Sequence, residues 1–245
     1  MTYTQYFNTI QEVYIAYYQR PADSVGLRFW AQKLHDAGGD LTEVIDAFAT
    51  SKEAQTLYGT IDKSTIGRVV DAVYKALFNR APEADGKQHY VKGFADGSYT
   101  AGTIVLDILK GARNDDKAVV NNKLSVANEF TCIIEGRPFT DPDFGSGLPN
   151  PAFDGGEAFN ATYVGDDDAV AARSMLANVI ATDTIPRINE VVEFIKKEIA
   201  DPGDPILKGG GHPDTPTPVA PPAPVAPPAP VAPPAPVAPP APVAP

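Results

Sequence analysis

Tyr14-Ile15-Ala16-Tyr17-Tyr18-Gln19-Arg20-Pro21-Ala22-Asp23-Ser24-Val25-Gly26-Leu27-Arg28-Phe29-Trp30 decides the fold, because its punctuation returns sixty residues later. The second copy reads Tyr74, Leu77, Arg80, Pro82, Asp85, Gly86 and Tyr90, with an extra residue before the proline and tyrosine replacing tryptophan. Ahead of Arg20, residues Tyr6, Ile10, Val13, Tyr14 and Tyr17 recur at three- and four-residue steps, the stripe of an amphipathic helix. Arg20-Pro21 stops it. Asp23 is placed to cap a second helix with a buried stripe of Leu27, Trp30 and Leu34. Gly26 falls inside that helix at a cost of about 1 kcal/mol against alanine, which predicts close approach of a neighbouring helix.

Working outward, Gly38-Gly39 ends the second helix, and Asp40 with Glu43 predicts a capping box ahead of Val44, Ile45 and Phe48. Ser51 caps a short fourth helix that stops at Gly59. The second copy restarts at Asp62 and carries a broad apolar face of Ile66, Val69, Val70, Val73, Tyr74, Leu77 and Phe78. Helices bearing Gly86, Tyr90 and Phe94, then Ile104 to Leu109, then Asn114 to Thr131, complete it. No stretch alternates with period two. The expected fold is all-α, a tandem multi-helix repeat over 1–134.

Beyond it, residues 135–157 are rich in Gly, Pro, Asp and Phe and read as a loop or linker. Residues 158–201 read as a helical hairpin, too short to stand alone and expected to dock on the first unit. Residues 202–245 form a Pro/Ala/Val-rich spacer, with Pro-Val-Ala-Pro-Pro-Ala repeating from Pro218. Proline fixes φ and cannot donate, so this tail is expected in extended polyproline II. At roughly 3.1 Å per residue, the repeat over residues 218–245 would span on the order of 85 Å.

The net charge of −11 argues against nucleic acid, whose phosphates need clustered Lys and Arg. The single cysteine, Cys132, excludes an internal disulfide framework and a Cys-rich zinc site. No cationic start followed by an apolar run marks a Sec-type signal, and no apolar stretch is long enough to be a transmembrane segment. Phosphate loops, dinucleotide fingerprints, Gly-x-Ser-x-Gly and His-Glu-x-x-His are missing from the sequence, so no enzyme and no cofactor are expected. His35, His89 and His212 show no metal spacing. Acidic groups at Asp141/Asp143, Asp154/Glu157 and Asp166–Asp168 lack the EF-hand pattern and read as loop charge or helix starts, with calcium a secondary expectation.

The signature itself reads as structural grammar. Arg20 serves a helix end, Pro21 breaks the helix, Asp23 caps the next, Gly26 permits contact and Trp30 fills the core; Arg80, Pro82 and Gly86 repeat the theme. The candidate ligand contacts lie on its flank: Tyr3, Tyr6, Tyr18 and Arg28, since exposed aromatics stack on sugars and an arginine hydrogen-bonds hydroxyls.

Arg20, Pro21, Asp23, Gly26 and Trp30, followed by Phe48, Ser51, Glu53, Leu57 and Tyr58, resemble a helical domain of unknown function that recurs in bacterial S-layer and RTX-type secreted surface proteins. The segment from Asp115 to Thr131 looks like that family's closing helix, so the resemblance covers roughly residues 6 to 132. It implies a non-enzymatic cell-surface anchoring module that binds lipopolysaccharide or another envelope glycan. It also implies self-association in a surface lattice and secretion by a type I route. No Gly-Gly-x-Gly-x-Asp nonapeptide accompanies it, which keeps a cytoplasmic location as the alternative. A more distant similarity to phycobilisome linker domains implies the alternative function, a protein–protein scaffold.

Overall fold

The computed structural model describes residues 2–134, 166–183 and 188–195. The expectations for the 135–157 linker, Asp141/Asp143, Asp154/Glu157, His212 and the proline tail lie outside those residues, whereas Asp166–Asp168 open a helix as a helix-start reading expects. All regular structure among the described residues is helical. A short 3-10 helix, Tyr3–Tyr6, leads into α1 (Phe7–Tyr18), α2 (Ser24–Asp36), α3 (Thr42–Thr50) and α4 (Lys52–Tyr58). The second repeat follows as α5 (Ile66–Phe78), α6 (Ala84–Asp96), α7 (Ile104–Lys110) and α8 (Asn114–Ile134). Then come α9 (Asp166–Ala177) and α10 (Ile188–Phe194). No described helix is long and apolar enough to cross a membrane.

The helix ends show local chemistry at work. Helix α1 closes on Gln19 and α5 on Asn79, each left-handed (φ 58° and 60°), with the cap N–H bonded to the carbonyl four residues back. The stop therefore precedes Arg20-Pro21 by a residue, and a polar side chain takes the position glycine usually fills. Asp23 Oδ1 accepts from Gly26 N at 2.7 Å, and Ser51 Oγ accepts from Ala54 N at 3.1 Å, as their positions predict. The Asp40/Glu43 capping box does not form. Asp40 Oδ1 instead accepts from the Thr42 amide (2.9 Å) and hydroxyl (2.7 Å), α3 starts at Thr42, and Glu43 reaches Lys33 at 3.2 Å. An aspartate two residues ahead of a threonine closes a local Asx turn before it can reach a helix amide.

Phe48 of α3 centres the first repeat's core. Tyr18 stacks on it (4.6 Å, 20°), while Tyr14 and Trp30 meet it edge-on at 4.9 and 5.4 Å. Such pairs add to the area each ring buries. In the second repeat Val69, Val70, Val73, Leu77, Ile104, Val105 and Ile108 supply the equivalent interior. Helix α8 joins the halves through a buried polar seam. Gln11 Nε2 donates to Thr131 Oγ1 (2.7 Å) and to the Ala127 carbonyl (3.1 Å), and Gln11 Oε1 accepts from Ala22 N (2.9 Å). Cys132, next in the chain to Thr131, is buried in the core.

Helices α9 and α10 lie against that core, with Ala172, Leu176, Val179, Val191 and Ile195 buried. Arg173 of α9 donates to the Tyr18 carbonyl at 2.9 Å and to Glu53. Asn79 Nδ2 donates to the Val179 carbonyl at 2.7 Å, and Asn122 Nδ2 to that of Ile180 at 2.9 Å. These bonds tie α9 to the C-terminal end of α1, and the turn after α9 to the C-terminal end of α5 and to α8.

Candidate functional site

The repeated signature turns inward in both copies. Arg20 lays its guanidinium over the rings of Tyr14 (5.4 Å) and Tyr18 (5.3 Å) and pairs with both oxygens of Glu53 on α4, at 2.8 and 3.0 Å. Arg80 sits over Tyr74 at 5.4 Å and pairs with both oxygens of Asp116 on α8, at 2.8 and 2.7 Å. Each arginine also donates to the carbonyl of the next residue, Pro21 or Ala81. The sequence reading assigned Arg20 to a helix end; its main partner is a carboxylate on another helix, a geometry the planar fork favours. The bidentate bonds and the flanking Glu83 raise the Arg80 guanidinium pKa despite some desolvation, so it stays charged at any working pH.

Gly26 is confirmed as a contact glycine: a Cβ there would overlap the Tyr14 hydroxyl. At Gly86 the equivalent tyrosine, Tyr74, leaves its hydroxyl 3.5 Å from such a Cβ. Pro21 is buried and Pro82 half-buried, both in the turns after the left-handed residues. Trp30 is buried in the core. These residues hold the fold: the two guanidinium groups are paired with Glu53 and Asp116, while the buried Trp30 Nε1 makes no hydrogen bond among the described residues.

Of the four candidate ligand contacts, three gather on one edge of α2. Tyr3 and Tyr6 are half-buried in the 3-10 helix that packs along α2. The Tyr3 hydroxyl accepts from Arg28 Nη1 at 3.3 Å, and its ring meets Phe7 edge-on at 5.8 Å. Tyr6 meets the His35 imidazole edge-on at 6.4 Å. Tyr18 does not join them. It is 4% exposed, stacked between Phe48 and Arg20, and burial pushes its phenol pKa up to about 12. The flank position read from α1 alone missed the cover that α3 and α4 supply, so Tyr18 is a core residue.

Sequence reasoning also passed over the outermost stripe of α2. Val25, Phe29 and Lys33 follow at four-residue steps; Val25 is 48% and Phe29 39% exposed, and Lys33 Nζ lies 6.0 Å from the Phe29 ring centre. Two exposed apolar side chains one turn apart on a helix otherwise buried on Leu27, Trp30, Ala31 and Leu34 are the available signal. The site thus combines a presented aromatic ring, a cation above it and a hydroxyl–guanidinium pair alongside. It can stack and hydrogen-bond. Among the described residues no three His, Cys, Asp or Glu side chains gather as a metal site.

Comparison with known proteins reaches the first repeat. No curated protein and no solved structure matches the chain. Residues 3–58, which run from the 3-10 helix to the last residue of α4, match the family described as domain of unknown function (DUF4214).

Proposed function

We propose that this chain is a non-enzymatic cell-surface anchoring module of an S-layer-like or RTX-type secreted protein, and that it holds lipopolysaccharide or another envelope glycan on the outer edge of α2. The observation that carries this reading is the contrast within the first repeat. Arg20, Gly26 and Trp30 are committed to the interior, while Phe29 is left outward with Lys33 above it and the Tyr3–Arg28 pair beside it. An aromatic face flanked by donors suits the C–H face and hydroxyls of a sugar ring. Binding of the purified chain to smooth cells and to cells stripped of O-polysaccharide tests it. Equal capture by both rejects the glycan, and protease shaving of intact producing cells tests the surface location.

A second reading has its own support. Val25 and Phe29 form an exposed apolar pair on one helix face, the usual beginning of a protein contact. A scaffold role predicts a defined-stoichiometry complex in sedimentation, formed without glycan and lost on Val25→Asp.

A further inference from the structure

The turn after α9, residues 178–183, is anchored on either side of a buried amine. Asn79, the left-handed residue that ends α5, uses its carboxamide as a bridge: Oδ1 accepts from Lys123 Nζ at 3.2 Å, and Nδ2 donates to the Val179 carbonyl at 2.7 Å. Asn122, next to Lys123 on α8, donates from Nδ2 to the Ile180 carbonyl at 2.9 Å and to that of Ala181 at 3.3 Å. The turn is closed on itself, with the Asp183 carboxylate accepting from Ile180 N at 2.7 Å, and Val179 within it is fully buried. One side chain separates the turn from the amine, and the residue beside the amine holds the turn down.

The amine sits where a cation is poorly served. Lys123 is 1% exposed, and its hydrogen bonds go to two neutral oxygens, the Ala76 carbonyl and Asn79 Oδ1. Of the charged side chains on the surrounding helices and in the turn, only Lys75 on α5 bears on it among the described residues, and Lys75 repels its charge. Glu12 on α1, Glu129 on α8, Arg173 on α9, Asp183 in the turn, and Glu190 and Glu193 on α10 do not. A charged amine so enclosed is stabilised by admitting water, whereas a neutral one is not. The neutral amine keeps two N–H groups, so its bonds to Ala76 and Asn79 survive loss of the proton.

We propose that the 178–183 turn is a proton-linked latch, which holds α9 shut over a neutral Lys123 and loosens when that amine is charged. Burial, with Lys75 acting in the same direction, draws the Lys123 pKa down from 10.5 to about 8. Lifting the turn hydrates the amine and returns it toward 10.5, so the open form binds more protons between those values. The latch therefore tightens as pH rises through that window and is weakest below pH 8. The other end of α9 has no such dependence, because the Arg173 guanidinium and the Glu53 carboxylate keep their charges throughout it. Neutral or acidic surroundings thus release α9 from its turn end first.

The test uses the full chain and two readouts. Titration of the Lys123 Cε resonance should place wild type near pH 8, and Asn122→Ala, which frees the turn without removing a bond to the amine, should move it upward by about one pH unit. Protection of the α9 amides, corrected for base catalysis of exchange, should lie below that of α5 and α8 and so report the turn's own opening. It should rise by up to about tenfold per pH unit between pH 8 and 10, and stay flat in Lys123→Met, whose side chain is neutral and of similar length. An Lys123 titration unmoved by Asn122→Ala overturns the latch. So does α9 protection that is flat with pH in wild type, or that equals that of α5 and α8, since the turn would then open only with the whole fold.

Discussion

Lys123 donates from its buried Nζ to the Ala76 carbonyl at 2.5 Å, the bond that the Tyr58 hydroxyl makes to Ala16 at 2.7 Å in the first repeat. Ala16 and Ala76 are equivalent positions in the last turns of α1 and α5, where carbonyls run out of intrahelical donors. One repeat meets the need with a neutral phenol. The other uses an ammonium that is 1% exposed, with Asn79 Oδ1 as a second acceptor at 3.2 Å and no carboxylate paired to it among the described residues.

That difference should move the protein's stability optimum to alkaline pH. Desolvation, aided by nearby Lys75, lowers the Lys123 pKa from 10.5 to about 8. The unfolded chain therefore holds more protons between pH 8 and 10.5, and stability rises with pH through that window, by roughly 3 kcal/mol in full. The phenols of Tyr18 and Tyr90, both raised by burial to about 12, act the other way: the unfolded chain loses protons first, so stability falls above pH 10. Denaturant titrations should show a maximum near about pH 10. Lys123→Met should flatten the rise below it, and an unchanged slope in that variant would reject the assignment.

The two signature glycines should respond to alanine with opposite signs. Gly26→Ala drives a methyl into the Tyr14 hydroxyl and should cost about 2 to 3 kcal/mol. Tyr14→Phe removes the nearest obstructing oxygen and should recover part of that loss in the double variant, the Asp23 carboxylate at 2.9 Å remaining in the way. Gly86→Ala meets the Tyr74 hydroxyl at 3.5 Å, an ordinary contact, so the helix keeps up to about 1 kcal/mol of alanine's propensity. Equal losses at both positions would show that the repeats are packed more alike than their geometry indicates.

What the sequence revealed and what it withheld divide along the distance an interaction spans. Asp23, Ser51, Gly26 and Trp30 could be read because a cap, a contact glycine or a core ring shows its purpose within a turn or two of helix. The all-α repeat came from the same short-range grammar. Glu53 could not be matched to Arg20 across 33 residues, nor Arg173 to Glu53 across 120, because either carboxylate or cation fits a solvated helix face equally well. Tyr18 was misplaced for the same reason: helical period marks the flank of α1, and only tertiary packing shows that α3 and α4 cover it. Phe29 was hidden by its neighbour, since Trp30 accounts for the aromatic signal on its own.

Glu53 should prove the joint between α9 and the first repeat. It receives Arg20 and Arg173 together, with all three side chains about a quarter exposed or less. Glu53→Gln leaves two guanidinium groups facing one neutral amide and should cost about 1 to 3 kcal/mol. Arg173→Met leaves the Arg20–Glu53 pair intact and should cost less, while raising amide exchange in α9 ahead of α1. Exchange that rises equally in both helices would mean that Arg173 does not hold α9 separately.

The buried seam between α1 and α8 should behave as one unit. Thr131 Oγ1 accepts from Gln11 and donates toward the Ala22 carbonyl at 2.7 Å, while Gln11 Oε1 holds the Ala22 amide. Thr131→Val keeps the shape but strands one N–H of the Gln11 amide, whose Nε2 still reaches the Ala127 carbonyl, together with the Ala22 carbonyl, which should cost about 2 kcal/mol; Gln11→Met strands the Ala22 amide at a similar cost. In the double variant the Gln11–Thr131 mismatch is gone, so the combined loss should fall short of the sum by roughly 1 kcal/mol. Strict additivity in chemical denaturation would mean that the two side chains serve Ala22 independently and that the seam is two separate bonds.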